Sequence, residues 1–166
     1  STFRVAMMMR ILMVCMGNIC RSPLAEGVVR CLADRAGMGA FVEVDSAGTL
    51  AYHAGEQPDP RARKVATSRG YDLSKMRARR VAEDDFSHFD LVLAMDRQNL
   101  AALERVCPEE HLHKLRLFMD YAEDRELDEI PDPYYGGPDG FERVLDLCEA
   151  AARGLIASIA GRKGRR

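Results

Sequence analysis

Four successive apolar residues, Ile11-Leu12-Met13-Val14, leave few folds open to this chain. A strand with one wet face alternates apolar and polar side chains. A run that is apolar at every position needs cover on both faces, as an inner strand of a parallel sheet has. The rest of the chain repeats the theme. Ser22-Pro23 reads as an N-cap and a first helical residue. The helix that follows carries Leu24, Val28, Cys31 and Leu32 on one face and Glu26 in its first turns, and ends near Gly37 or Gly39. A strand is expected over 41–44, then a helix opened by Asp59-Pro60, running to about 69 and stopped by Gly70. A short helix over 83–86, a strand over 90–94 and a helix over 96–106 come next, ended before Pro108. A weaker strand over 114–118 leads to a Pro- and acid-rich loop over 120–140 and a last helix over 141–159. Strands alternating with helices predict βαβ units, a parallel sheet and right-handed crossovers.

Composition narrows the function classes. The chain has 166 residues, which suits one domain rather than two. Lys and Arg number 24 against 26 Asp and Glu, so the basic excess of a nucleic-acid binder is missing. The apolar runs are all too short to span a membrane as a helix. Five cysteines, an odd number at irregular spacing, predict reduced thiols and a cytoplasmic setting. Residues 1–9 read as a loose extension or a misassigned start, because the strand pattern begins only at Ile11. They lack the small-residue cleavage site of a signal peptide. One domain is expected over 10–161, with 162–166 a solvated basic tail.

In a parallel α/β sheet, ligands bind where strand ends lead into helix starts. The first such junction reads Cys15-Met16-Gly17-Asn18-Ile19-Cys20-Arg21-Ser22-Pro23. Gly17 and Asn18 can take unusual dihedrals that turn backbone N–H groups inward. The helix start adds a positive dipole end, and Arg21 a planar fork for two oxygens of one phosphate. A thiol at Cys15 facing these groups is expected to be held as the thiolate, a nucleophile already beside a bound phosphate. Ser22 can donate to that sulfur. The competing reading makes Cys15 a core thiol in an ordinary turn, but it alone among the five cysteines has an Arg six residues on.

The stretch V-C-M-G-N-I-C-R-S-P-L-A-E resembles the signature of the low-molecular-weight protein tyrosine phosphatases. The likeness continues in Asp45-Ser46-Ala47-Gly48-Thr49, in Met95-Asp96 with Asn99, and in Asp132-Pro133-Tyr134-Tyr135. The resemblance implies a four-stranded parallel sheet of order 2-1-3-4 with helices on both faces. It also implies hydrolysis of phosphotyrosine proteins or peptides through a cysteinyl phosphate, without metal or cofactor. Cys15 and Arg21 would be catalytic, and Asp132 the general acid for the leaving oxygen and later the base for water. Read alone, Asp132-Pro133 is a turn. Met16, Gly17, Asn18, Ile19, Cys20, Arg21 and Ser22 would form the phosphate loop. Tyr52, Tyr134 and Tyr135 would wall the slot for an aromatic ring, although without the family they read as loop-packing residues.

Further expectations rest on the same resemblance. A phosphoarginine-specific branch of the family carries Thr at the position of Ile19, so Ile19 with the tyrosine pair favours phosphotyrosine. Cys20 would form a reversible disulfide with Cys15 that guards the nucleophile against over-oxidation. Arsenate reductases of the same fold use a cysteine pair from another segment, whereas Cys31, Cys107 and Cys148 here read as structural. A non-catalytic phosphate-binding module is the rival from a different class. Several relatives have His where Met76 stands, so support of the loop is expected to be reorganised. Arg77, Arg79 and Arg80 read as a solvated face, with an acidic peptide as an alternative use. His111 and His113 read as a solvated loop pair.

Overall fold

The computed structural model describes residues 8–123 and 125–164. Strands β1 (Met9–Cys15), β2 (Val42–Gly48), β3 (Leu91–Ala94) and β4 (Leu115–Leu117) alternate with helices. The helices are α1 (Arg21–Arg35), α2 (Pro60–Ser68), α3 (Glu83–His88), α4 (Arg97–Val106) and α5 (Pro138–Gly164). The sheet is parallel throughout, in the order β2-β1-β3-β4.

The apolar run of β1 divides between two cores. Ile11, Met13 and Cys15 point into a large cluster with α1, α2 and α5, including Val28, Val65, Phe141 and Leu155. Leu12 and Val14 point the other way, against Phe86, Phe89 and Leu103 of the α3 and α4 layer. Helices therefore cover both faces, which is why no position of that run could be polar. Cys31 packs at the margin of the first core, Cys148 lies inside it, and Cys107 borders the second.

Several elements differ from the sequence pattern. β1 starts at Met9, so the presumed extension over 1–9 ends in a strand residue, and residues 1–7 lie outside the described part. β2 runs four residues further than expected, through Asp45-Ser46-Ala47-Gly48, because these pair residue by residue with β1 as far as Cys15. Their polar character suggests a loop, but sheet pairing decides. α5 is longer than expected at both ends, and its backbone is helical through Gly164, inside the tail expected over 162–166, of which 165–166 lie outside the described residues. Among the described residues no helix is long and apolar enough to cross a membrane.

The connections place a crevice at one edge. After β1 the chain moves to β2 on one side, then returns to β3 on the other. That reversal leaves an opening beyond the carboxyl ends of β1 and β3, the general ligand position in open α/β sheets.

Candidate active site

The segment from Cys15 to Arg21 lies at that opening. A cleft of about 520 Å³ is lined by Cys15, Met16, Gly17, Ile19, Cys20 and Arg21 on one side. Leu50, Tyr52, His53, Asp132, Tyr134 and Tyr135 complete it. The catalytic and pocket residues singled out from the sequence thus share one wall-to-wall cavity, although they are spread over residues 15–135. Asn18 and Ser22 lie beneath it, buried.

Asn18 is the keystone of the loop. It has φ 58, in the left-handed region that Asn tolerates better than most residues, and is 2% exposed. Its side-chain carbonyl accepts from the backbone N–H of Arg79 at 3.0 Å, which fixes the amide's orientation. The amide nitrogen then donates twice, to Ser22 Oγ at 2.8 Å and to Ser46 Oγ at 2.9 Å. Ser22 Oγ lies 3.0 Å from Cys15 Sγ, and while it accepts from Asn18 its own proton is available to the sulfur. The backbone N–H of Asn18 reaches the same sulfur at 3.3 Å. Cys15 therefore sits under two donors. The N–H groups of Gly17, Ile19 and Cys20 take no partner among the described residues. A concave run of unpaired amides is an anion-binding concavity.

Ser22 was expected to cap α1. Instead α1 starts at Arg21, its N-cap position is Cys20, and no side chain caps it. The Ser22 hydroxyl is spent on the sulfur and Asn18, so the first helical N–H groups stay open toward the cleft. The proline beside it still suits a first turn, where its missing N–H has no helical partner.

Arg21 is held from behind. Its Nη1 donates to Asp96 Oδ2 at 2.6 Å and to the Ile130 carbonyl at 2.9 Å. The remaining edge of the guanidinium has no partner among the described residues, and Arg21 lines the cleft. Burial opposes the Arg21 charge, yet Cys15 and the Asp96 carboxylate hold its pKa above the ordinary guanidinium value. Asp96 also caps α4 through the Asn99 N–H at 2.7 Å. One residue thus ties the arginine to the end of β3.

Met76 is half-buried beside α1, and its side chain offers the loop no hydrogen bond. The supporting chain is Asn18 to Ser46 to Glu26: Ser46 Oγ donates to Glu26 Oε1 at 2.7 Å, and Arg30 pairs with the other Glu26 oxygen. Burial raises the Glu26 pKa, against the pull of Ser46 and Arg30. Arg79 departs from the solvated face foreseen for it. It bridges Asp85 and Asp45 while its backbone positions Asn18. Arg77 donates to the carbonyls of Ser74 and Met76, and of these three arginines Arg80 makes no side-chain pairing with the described residues. Glu26 and Arg79 carry no mark of this work in the sequence; Asp96, at the end of a predicted strand, carries a positional one.

The opposite wall is looser. Asp132 is exposed, held in a turn by the Tyr134 N–H donating to its Oδ1 at 3.0 Å. Tyr134 meets Tyr135 edge-on at 4.9 Å between ring centroids, and its other neighbours are His53 and the Arg61 guanidinium at 5.4 Å. Arg61 also lies over Phe141 at 4.7 Å and is clamped by Asp59. The Asp59 backbone N–H donates to the Ile19 carbonyl at 2.8 Å, linking this wall to the loop. Tyr52 and Tyr135 are 85% and 94% exposed, so they edge the mouth rather than pack in the loops. Ile19 is buried and forms floor more than rim. The Cys20 thiol is pushed up by burial first, and then by the Asp59 carboxylate.

This geometry has close counterparts. Residues 10–165 match the sequence profile of the low molecular weight phosphotyrosine protein phosphatases. The chain belongs to that family. A low molecular weight protein-tyrosine-phosphatase of Streptomyces coelicolor is 47% identical, over 90% of this chain and 93% of its own. The Schizosaccharomyces pombe low molecular weight phosphotyrosine protein phosphatase is 45% identical, over 91% and 97%. A crystal structure of a protein tyrosine phosphatase from Entamoeba histolytica, with Hepes in the active site, superposes with a TM-score of 0.90. It is 42% identical and covers 93% of this chain and 99% of that one. By sequence and by superposition, then, the chain is a low-molecular-weight phosphatase in fold and in enzyme class.

Proposed function

We propose that the enzyme hydrolyses phosphotyrosine monoesters on proteins or peptides through a cysteinyl phosphate, with no metal in the reaction. The observation that carries this is the convergence on one cleft of a sulfur under two donors, unpaired loop amides, the free edge of Arg21 and a carboxyl at Asp132. Phosphate oxygens would occupy the amides and the Arg21 fork, leaving phosphorus facing Cys15 Sγ. Sulfur attacks, the P–O ester bond breaks, and Asp132 gives its proton to the departing phenolate. Asp132, now ionised, takes a proton from water, whose oxygen attacks phosphorus. The S–P bond breaks, inorganic phosphate leaves, and Ser22 and the Asn18 N–H receive the sulfur as a thiolate.

Substrate class follows from the walls. Tyr134 and the exposed faces of Tyr52 and Tyr135 offer flat apolar surface above the loop, with Ile19 and Met16 below. A phenol ring fills such a slot, at roughly 0.5–1.5 kcal/mol per good aromatic contact, and a serine side chain does not. Five unpaired thiols suit a cytoplasmic setting. Cys20, buried beside the Cys15 loop, is the proposed partner for a protective disulfide after peroxide treatment. Rapid-quench mass spectrometry with a phosphotyrosine peptide should show one phosphate on Cys15, and turnover should be unaffected by chelator. Equal kcat/KM for phosphotyrosine, phosphoserine and phosphoarginine peptides would reduce the reading to a generic phosphomonoesterase.

A further inference from the structure

A second cleft, about 510 Å³, opens on the other side of Leu50. Its floor is apolar, with the buried rings and chains of Phe86 and Leu103, and Val106 exposed at the edge. Two arginines line it, Arg80 in the segment before α3 and Arg105 in the last turn of α4, with Glu83 the one acid among the lining residues. Both arginines are exposed, and neither side chain makes a hydrogen bond or ion pair with the described residues. Arg21, Arg30, Arg61, Arg69 and Arg79 are paired to carboxylates, whereas these two uncompensated cations share one cleft.

The ridge between the clefts is fixed to the catalytic loop. Thr49 and Leu50 donate their N–H groups to the carbonyls of Cys15 and Met16 at 3.0 and 3.1 Å. On the far side, Gly48 forms a bridge with Arg80, and the Val81 N–H donates to the Gly48 carbonyl at 2.9 Å. Leu50 lines both cavities. A peptide whose phosphotyrosine fills the first cleft can cross Leu50 and lay its neighbouring residues in the second.

We infer that this second cleft is a docking site for an acidic segment flanking the phosphotyrosine of a protein substrate, its carboxylates received by Arg80 and Arg105. The inference rests on the phosphatase reading of the first cleft and extends it from the phosphorylated side chain to the chain around it. Charge complementarity and continuity with the catalytic cleft select this occupant. Unpaired guanidiniums favour carboxylates, and the apolar floor takes the stems of Glu or an interspersed aliphatic residue.

The test is steady-state kinetics of the full chain on phenyl phosphate and three phosphotyrosine peptides: one with a neutral flank and two with Glu and Asp on either side of the tyrosine. One acidic peptide should have a KM roughly three- to tenfold below the neutral one with kcat nearly unchanged, the size expected of two solvent-exposed ion pairs. That advantage should shrink as salt is raised. It should vanish in Arg80→Glu/Arg105→Glu, while phenyl phosphate, which has no flank, is turned over as before. If charge reversal disturbs phenyl phosphate turnover, Arg80→Gln/Arg105→Gln carries the test on the same criterion. No acidic preference in the wild type, or one that survives both double variants, overturns the docking site. Absence of phenyl phosphate turnover by the wild type would instead strike at the phosphatase reading, and this one would fall with it.

Discussion

The two walls of the candidate active-site cleft are built on opposite terms. The wall over 15–22 is almost entirely buried and over-determined: Asn18 alone makes three side-chain hydrogen bonds, and Arg21 is pinned from behind by Asp96 and Ile130. The wall of Asp132, Tyr134 and Tyr135 is exposed, anchored by one Asx turn, the edge-on rings and Arg61. The difference matches what each would be asked to do. Stabilising charge on a transferring phosphoryl group calls for donors fixed in advance, because reorganisation would consume the gain. A proton donor that must serve a bulky leaving group and then a water molecule needs room to adjust, and a wall that binds a ring must let the ring in and out.

This contrast can be broken at the cradle. Cys15→Ser should lower kcat by on the order of 10⁴-fold or more, as removal of a nucleophile does elsewhere. Phosphate binding should persist, since the amides and Arg21 remain. Near-normal turnover of an aryl phosphate would remove Cys15 from the chemistry. At the other wall, Asp132→Asn should cost about 10²–10⁴-fold on phenyl phosphate and far less on nitrophenyl phosphate, whose leaving group needs no proton. A uniform loss across leaving groups, measured as a slope of log kcat against leaving-group pKa, would make Asp132 structural.

A smaller effect separates backbone from side chain within the cradle. Asn18→Ala loses three hydrogen bonds and strains a left-handed residue, so denaturant melts should show a loss of about 2–4 kcal/mol. Asn18→Gly keeps the backbone freedom and should recover about 1 kcal/mol of it without restoring kcat. Full recovery of activity by the glycine variant would mean that only the dihedral matters. The smallest expected effect concerns Glu26 beneath the loop. Burial raises its pKa in the fold above the unfolded 4.5, so its stabilising contribution is complete below that value and is lost as pH rises through the folded pKa. Glu26→Gln stays neutral throughout. Wild type should therefore lose stability relative to the variant as pH rises from 4.5 through the raised folded pKa, as read from melts at successive pH values. The opposite slope would show that the Arg30 ion pair outweighs burial.

Much of this was legible in order along the chain, because the signals are local. A run apolar at every position demands a strand covered on both faces. Asp59-Pro60 and Asp96 mark helix starts by capping chemistry, and both side chains accept the expected N–H. A thiol, a turn of Gly and Asn, an Arg and a helix start within nine residues mark an anion site by composition alone. Where local signals misled, a distant partner had changed the outcome. Ser22 looks like a cap but serves Cys15, and Asp45-Ser46 look like loop but pair with β1.

What only the tertiary structure decided is which distant groups stand behind the site. Glu26, Ser46, Arg79 and Asp96 reach the cradle from α1, β2, the segment before α3 and the end of β3, across gaps of up to 75 residues. The empty-handed pair Arg80 and Arg105 was no more visible, since a charged residue in sequence says nothing of whether a carboxylate will meet it. Hydrogen bonds and ion pairs act over about 3 Å, and sequence spacing fixes such distances only within a turn or a helix. Beyond that, the packing of helices on both faces of the sheet sets them.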